Sequence, residues 1–211
     1  MKDRTVEVLP APLLDKVGAV ATVRTFAKRA IIVSEGDETD TLYVVISGKA
    51  RVYVADDKGR EVQLNQLGPG EYFGEVTLDG GPRSASVMAL EECRCAMVKR
   101  AELTPFLEKN PELALHIVRK LARRVRDLTE NVRSLALMDV YGRVARLLLE
   151  LAENREGRLV ISEHLTHKDI ASRVGASRVM ISRFFSDLSD GGYVRKENGQ
   201  LVIARKPPPR W

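Results

Sequence analysis

The chain has 211 residues, of which 44% are hydrophobic and 30% are charged, so it can build one large or two modest cores and is neither disordered nor fibrous. Its 2 cysteines are too few for a disulfide scaffold or a four-thiolate metal site, and it has no run of ~18 apolar residues and no signal-peptide core, so we expect a cytoplasmic protein without a membrane segment. The net charge is +5, and residues 158–211 carry all of this excess, with 10 Lys and Arg against 5 Asp and Glu, which predicts that a polyanion binds there.

The first half of the chain has the pattern of an antiparallel sheet. Short apolar runs with a two-residue period predict strands at residues 42–48, 50–54, 62–67 and 93–98. The segments between these runs are rich in Gly, Pro and Asp, which suit turns. Short strands at this spacing are typical of an antiparallel roll or barrel.

Residues 71–85 hold the densest group of candidate ligand-binding residues in this half. Gly74 allows the backbone to approach a ligand, and a short helix that begins there would direct free N–H groups at a phosphate. Arg83 can bind a phosphate through its charged fork, and Glu75 can accept hydrogen bonds from sugar hydroxyls. The combination favours a phosphosugar ligand, although the Gly-Pro-Arg segment is equally compatible with an ordinary surface loop.

After Pro111 the apolar residues follow a helical repeat. Their spacing alternates between four and three residues: Ala114, Val118, Leu121, Val125, Leu128, Val132 and Leu135. The flanks are charged: Arg119, Lys120, Arg123, Arg124, Arg126, Asp127 and Glu130. Such a stripe either packs against the β-roll of its own chain or pairs with a second copy. The strict 3.5-residue period and the charged flanks favour a parallel dimer helix.

The remaining residues predict a helix-turn-helix. A helix is expected at about 139–153 and a strand at 158–161. Thr166 and Asp169 have the spacing of a capping box at the start of the next helix, and Gly175 ends it. Ser177 can cap the helix that follows.

A hairpin, or wing, is predicted after the second of these helices. Alternating runs on both sides of Asn198-Gly199 are a strong hairpin signal. The tail at 206–211 is expected to be a loose end. The fold class is therefore α+β, with a β-roll domain at 1–110, a dimerisation helix at 111–138 and a winged helix-turn-helix at 139–211.

The first turn of the second helix of a helix-turn-helix enters the major groove of DNA. Here that turn begins at Ser177 and carries Arg178 and Arg183, which can both reach base edges or phosphates. Arginine binds guanine O6 and N7 in bidentate fashion, whereas Val179 offers only apolar contact. The alternative is that both arginines are simply solvated.

In their joint order these motifs resemble the CRP/FNR superfamily of bacterial transcription regulators, and the resemblance covers nearly the whole chain. The segments that carry it are Glu35-Gly-Asp37 with Leu42-Tyr43, Val45 and Gly48; Phe73-Gly-Glu75 with Pro82-Arg-Ser-Ala85; Leu121-Ala-Arg-Arg-Val with Leu135-Ala-Leu-Met-Asp-Val-Tyr-Gly-Arg143; and Val174-Gly-Ala-Ser-Arg178 with Ile181-Ser-Arg183. The resemblance implies a β-roll of the cyclic-nucleotide-binding type and a DNA-binding regulator.

The resemblance also implies an effector site, with cyclic AMP as the first candidate. Its residues would be Gly74, Glu75, Val76, Arg83, Ser84, Leu128 and Thr129. Glu75 would bind the ribose 2′-hydroxyl, and Arg83 with Ser84 would hold the cyclic phosphate. In members that bind cyclic AMP, a pair of hydroxyl residues on the dimer helix contacts the adenine, one of them from the other subunit, and this pair corresponds to Leu128 and Thr129. Leu128 departs from this pattern because it cannot hydrogen-bond.

For DNA, the resemblance implies contacts from the second helix and from the start of the first. These residues are Ser177, Arg178, Val179, Ser182 and Arg183, with His167 and Lys168 as phosphate contacts. Family members commonly carry Glu where Val179 stands, and that carboxylate accepts from cytosine N4. We therefore expect a half-site that is altered or weakened at that base pair.

The resulting hypothesis is a homodimer on palindromic double-stranded DNA, with Val118, Leu121, Val125, Leu128, Val132 and Leu135 in its interface. RNA polymerase is the expected protein partner. Alternatives are a response to cyclic di-GMP or to no ligand, and a nucleotide-binding module that acts on a protein partner. We expect neither an enzyme nor a metal or cofactor site, because no catalytic or metal-ligand constellation is present. Cys93 and Cys95 are interpreted as core or surface residues.

Overall fold

A computed structural model describes residues 8–197 and 199–207, apart from the side chain of Thr77. The described residues divide into two units: one contains those up to 59 together with 63–126, and the other contains 60–62 together with those from 127 onwards. Within the described part of the chain, no helix is long and apolar enough to cross a membrane.

The first unit is built from two antiparallel sheets and helices. Its strands are β1 Thr22–Phe26, β2 Ile31–Val33, β3 Thr41–Ser47, β4 Ala50–Ala55, β5 Glu61–Leu67, β6 Tyr72–Phe73, β7 Ser86–Ala89 and β8 Cys93–Lys99, and its helices are α1 Ala11–Gly18 and α2 Arg100–Lys109. The sheet orders are β1-β8-β3-β6 and β2-β7-β4-β5. A long helix, α3 Pro111–Leu137, contributes residues to both units. The predicted β-roll and the four predicted strands are confirmed.

Strand β3 explains why this region of the sequence is so continuously apolar. Tyr43 and Val45 pack into the core between the two sheets, whereas Leu42 and Val44 pack into a second core against helices α1, α2 and α3. A strand that is buried on both faces needs an apolar side chain at every position instead of at alternate ones.

Both cysteines belong to the core between the sheets, where each is fully buried. Burial raises the pKa of Cys95 to about 12, and the neighbouring Cys93 raises it further. Thiols in such surroundings are largely protonated at neutral pH, so they pack as small apolar groups.

The second unit is a winged helix-turn-helix, as the sequence predicts. Its elements are α4 Val140–Leu151, β9 Glu153–Arg155, β10 Arg158–Ile161, α5 His167–Val174, α6 Arg178–Asp190, β11 Val194–Glu197 and β12 Gln200–Ile203. The four strands form one antiparallel sheet in the order β11-β12-β10-β9. Val144, Leu148, Ile161, Ile181 and Leu188 are fully buried at the centre of this unit.

The predicted helix ends are confirmed. The Thr166 side chain accepts from Asp169 N and the Asp169 side chain from Thr166 N, which completes the capping box. Gly175 ends α5 with a φ of +65°, and the Ser177 side chain accepts from Met180 N. Asn198 of the predicted turn and residues 208–211 of the predicted loose tail lie outside the described residues.

Gly48 and Gly36 form a matched pair for testing the packing of the first unit. Both have positive φ, +86° and +84°, but a Cβ on Gly48 would collide with the carbonyl oxygen of Glu92, whereas one on Gly36 would meet nothing within 4 Å. We expect Gly36→Ala to lower the free energy of unfolding by about 1 kcal/mol, and Gly48→Ala by about 3 kcal/mol or more. Urea denaturation measures both values. Equal losses would show that the turn between β3 and β4 relaxes to accommodate the added methyl group.

Candidate functional site

A cavity in the first unit brings together five of the seven predicted effector residues. Its lining contains Gly74, Glu75, Val76, Arg83 and Ser84. The empty volume is about 420 Å³, including its opening to solvent. The wall formed by β2, β4, β6 and β7 is apolar, so the polar groups are at the segments 74–76 and 83–84 and at Arg124 of α3.

Arg83 is buried, with 4% of its surface exposed, and the fold holds its guanidinium in place. Nε donates to Thr39 Oγ1 at 2.8 Å and Nη2 donates to the carbonyl oxygen of Thr41 at 2.7 Å. The guanidinium carbon lies 5.7 Å from the centre of the Tyr43 ring. Burial lowers the pKa of Arg83, but a guanidinium stays protonated in proteins, so the cavity contains a permanent, oriented cation.

Gly74 is required for this placement of Arg83. Its φ is +90°, and a Cβ would lie 2.5 Å from Arg83 Nη1 and 2.6 Å from the carbonyl oxygen of Thr41. The sequence predicts that the Gly74 backbone lies close to a ligand. In the structure, the groups closest to it are Arg83 and Thr41. The short helix predicted to begin here is a single 3₁₀ segment, Glu75–Asp79.

Glu75 places a carboxylate at the same cavity. Only 4% of it is exposed, and its Oε2 has no hydrogen-bond partner within the described part of the chain. A buried carboxylate oxygen without a donor is costly, so such atoms are rare in folded proteins. Glu75 can accept a hydrogen bond from a ligand hydroxyl.

Two cations near this cavity were not identified as site residues from the sequence. Lys120 appears there only among the charged flanks of the long helix, but it is 3% exposed and lies 3.9 Å from Glu75 Oε2. Arg124, one turn further along α3, lines the cavity. The sequence carried a signal, because Leu113 and Ile117 are apolar residues four positions apart and positions 120 and 124 continue the same helix face.

Leu128 and Thr129, the other two predicted effector residues, are exposed and belong to the second unit. All residues that line the cavity belong to the first unit. Contact of this pair with the effector, which the resemblance implies in part across the dimer, stays a prediction.

The apolar stripe of α3 is largely uncovered. Val118, Val125, Leu128, Val132 and Leu135 are between 43% and 65% exposed. Leu121 differs, since it is half-buried against the helix-covered core of the first unit. Burial of the whole stripe against its own β-roll is therefore wrong, and a large apolar face of this kind marks an interaction surface.

The predicted DNA-binding residues lie at the start of α5 and in the first two turns of α6. Ser177, Arg178, Val179, Arg183 and Lys168 are exposed. Arg178 and Arg183 are separated by about 7.5 Å along the helix axis. The arrangement places two guanidinium groups on one short exposed helix segment.

His167 and Ser182 connect the two helices of the motif. His167 Nδ1 and Ser182 Oγ are 2.9 Å apart, and the His167 ring lies 5.0 Å from the Phe185 ring. Arg143 of α4 donates from Nε to the carbonyl oxygen of Val174 at 2.9 Å. That bond satisfies a carbonyl at the end of α5 and ties this helix to α4.

Within the described residues, no group of three or more His, Cys, Asp or Glu side chains could hold a metal ion.

Comparison with protein families gives two matches. The cyclic nucleotide-binding domain matches residues 23–110, and the Crp-like helix-turn-helix domain matches residues 142–207. Among curated proteins, a CRP-like cAMP-activated global transcriptional regulator of Mycobacterium tuberculosis is 35% identical over 184 residues, covering 85% of this chain and 82% of the relative. The cAMP-activated global transcriptional regulator Vfr of Pseudomonas aeruginosa is 32% identical over 198 residues, covering 90% and 92%.

Solved structures give the same result. The c-di-GMP responsive global regulator CLP of Xanthomonas campestris has a TM-score of 0.81 at 25% identity and covers 92% of this chain and 99% of its own. The catabolite activator protein of Thermus thermophilus has a TM-score of 0.56 at 32% identity, with coverages of 94% and 92%. The chain belongs to the CRP family of DNA-binding transcription regulators.

Proposed function

We propose that this regulator is a homodimer that binds cyclic AMP in the cavity around Glu75 and Arg83 and then binds a palindromic operator. Residues 1–110 form its sensor domain, 111–138 its dimerisation helix and 139–211 its DNA-binding domain. One observation carries the ligand assignment: Glu75 Oε2 is buried and, among the residues that the structure describes, has no hydrogen-bond donor, at a cavity that also holds the buried Arg83.

Each polar group of the cavity has a role that fits a cyclic nucleotide. Arg83 and Ser84 bind the cyclic phosphate, together with the backbone of Gly74 and Val76. Glu75 accepts from the ribose 2′-hydroxyl. The apolar wall packs against the sugar and base.

Cyclic AMP is favoured because the relatives from M. tuberculosis and P. aeruginosa are named as cAMP-activated. Cyclic di-GMP is the second candidate, because the similar CLP structure is described as c-di-GMP responsive. Leu128 does not favour cyclic AMP over cyclic di-GMP, since it has no group that can hydrogen-bond to an adenine.

The exposed stripe of α3 is the dimer interface in this proposal. Two parallel copies would cover Val118, Leu121, Val125, Leu128, Val132 and Leu135. A two-fold dimer presents its two α6 helices to successive major grooves about 34–36 Å apart, which predicts a palindrome. Arg178 and Arg183 then read bases, Val179 offers an apolar contact, and His167 and Lys168 contact phosphates. RNA polymerase is the proposed protein partner.

The ligand must prefer the DNA-binding form of the dimer. A shift from about 1% to 99% of that form needs a preference of roughly 5.5 kcal/mol. Two cavities per dimer share this requirement.

The central test is the fluorescence anisotropy of a labelled palindromic DNA, titrated with protein in the presence and absence of cyclic AMP. We expect cyclic AMP to tighten DNA binding and Arg83→Leu to abolish that response, because the phosphate loses its cationic partner. Arg94→Leu, which removes an exposed arginine from β8, is the matched control and should respond like the wild type. Full response by Arg83→Leu would exclude the phosphate role, and a response to cyclic di-GMP alone would identify the second candidate as the ligand.

Base reading and phosphate contact are distinguished by a pair of alanine variants. Arg178→Ala should cost about 1–3 kcal/mol at one base pair and relax the preference there, whereas Lys168→Ala should weaken binding to every sequence equally. Competition with single-base variants of the operator measures both patterns. Equal losses on all sequences for Arg178→Ala would make Arg178 a phosphate contact.

The dimer interface is tested by placing a charge on the stripe. Val125→Glu should produce monomers in analytical ultracentrifugation, because two carboxylates would face each other in an apolar seam. Leu137→Glu changes a leucine on α3 that is 73% exposed and lies outside the heptad stripe, so this variant should remain dimeric. A dimeric Val125→Glu protein would place the interface elsewhere.

A further inference from the structure

Lys120 is a buried cation that has no role in the function proposed above. It lies on α3 with 3% of its surface exposed. Lysine is almost never buried to this extent unless its charge has partners. The residues that contact Lys120 therefore indicate the role of its charge.

The ammonium group of Lys120 is held by Tyr72. Nζ donates to the carbonyl oxygen of Tyr72 and lies 3.6 Å from the centre of the Tyr72 ring. Tyr72 is itself 1% exposed and belongs to β6, directly before the segment that carries Gly74 and Glu75. These contacts fix the position of the positive charge beside the cavity.

The distance between Lys120 Nζ and Glu75 Oε2 is 3.9 Å. This separation is an ion pair, but it is too long for a hydrogen bond, whose N···O distance is about 2.7–3.2 Å. Lys120 therefore offsets the charge of Glu75 without occupying the lone pairs of its Oε2. That oxygen retains its full capacity to accept from a ligand.

Arg124 is the other cation of α3 at this cavity, and it does not compete for this role. It makes no hydrogen bond or ion pair with the residues that the structure describes, although it lines the cavity. Lys120, by contrast, is as deeply buried as the carboxylate that it faces. Lys120 is therefore the counter-charge that α3 supplies to Glu75, in addition to the guanidinium of Arg83, which also interacts with this carboxylate.

We infer that Lys120 is a positioning residue for the sugar of the ligand: its ammonium balances the buried charge of Glu75 and leaves that carboxylate free to accept a ribose hydroxyl. This inference rests on the proposed function, in which Glu75 binds the 2′-hydroxyl. A substitution of Lys120 should therefore change the affinity for a nucleotide that carries the 2′-hydroxyl, and it should not change the affinity for a nucleotide that lacks it.

The experiment compares cyclic AMP with 2′-deoxy cyclic AMP, using calorimetry on the full-length protein. The wild type should prefer cyclic AMP by about 10- to 100-fold, the range expected for a hydrogen bond to a charged group. Lys120→Gln keeps a donor for the Tyr72 carbonyl but removes the charge, and it should reduce this preference to within about threefold. The affinity for the deoxy ligand should stay nearly unchanged, which also shows that the variant is folded.

Arg119→Gln is the matched control, because it removes an exposed positive charge from the adjacent position of the same helix. It should keep the full preference for the hydroxyl. Lys120→Met provides a second variant, with an apolar side chain of similar length, and should behave like Lys120→Gln. Retention of the full preference by both Lys120 variants would overturn the inference.

A cycle of thermal unfolding without ligand tests the ion pair independently of the proposed function. Lys120→Gln and Glu75→Gln should each lower the melting temperature, and the double variant should be no worse than the less stable single one, because a single change leaves a buried charge unpaired. Additive losses would refute the role of Lys120 as counter-charge. If the wild type binds neither nucleotide, the proposed ligand is wrong, and this cycle alone decides whether Lys120 balances Glu75.

Discussion

A carboxylate and a guanidinium, each only 4% exposed, stand at the cavity of the first unit, and much of the surrounding structure serves to keep them there. Removing ions from water is costly unless their charges and hydrogen bonds are compensated. Arg83 is compensated by a hydroxyl, a backbone carbonyl and an aromatic ring, and Glu75 by the ammonium of Lys120. The positive φ of Gly74 provides the space in which Arg83 fits beside Thr41.

The two ions are compensated to different degrees, and that difference indicates how a ligand would enter. Three of the five N–H donors of Arg83 reach protein oxygens, with Nη1 the longest at 3.5 Å from the carbonyl oxygen of Gly74. The charge of Glu75 is balanced, while its Oε2 has no donor in the described part of the chain. A hydroxyl therefore gains a hydrogen bond at Glu75 without displacing one, and an anion can bind the N–H groups of Arg83 that these three bonds do not use.

The parts of this fold that could be predicted from the sequence are those determined by local chemistry. The capping box at Thr166, the stop at Gly175 and the cap at Ser177 each depend on residues within one helical turn, and all are present. Strand β1 was not predicted, because four of its five residues are exposed and it lacks an alternating pattern. Lys120 was predicted only as a charged flank of the heptad stripe, because that stripe dominates the repeat. Leu113 and Ile117 indicate a second face, but its burial against the first unit depends on tertiary packing.

Helix α3 thus has one buried face and one exposed face. Leu113, Ile117 and Lys120 are turned into the first unit, whereas Val125 and Val132 remain exposed. Residues three and four apart share a helix face, so a second buried row can alternate with an exposed heptad stripe without interrupting it. In the proposed dimer, the same rigid element would touch the effector carboxylate on one side and the partner subunit on the other.

This arrangement limits how strongly a ligand can act. A dimer with two cavities offers four charge-assisted contacts, one at each Arg83 and one at each Glu75, to supply a total preference of roughly 5.5 kcal/mol. Each contact must then differ by about 1.4 kcal/mol between the two forms of the dimer, while the net value of a hydrogen bond to a charged group is about 1.5–3 kcal/mol. Between about half and nearly all of each contact would then have to be made only in the DNA-binding form, so a change in the hydrogen bond at Glu75 would alter the preference of the ligand for that form.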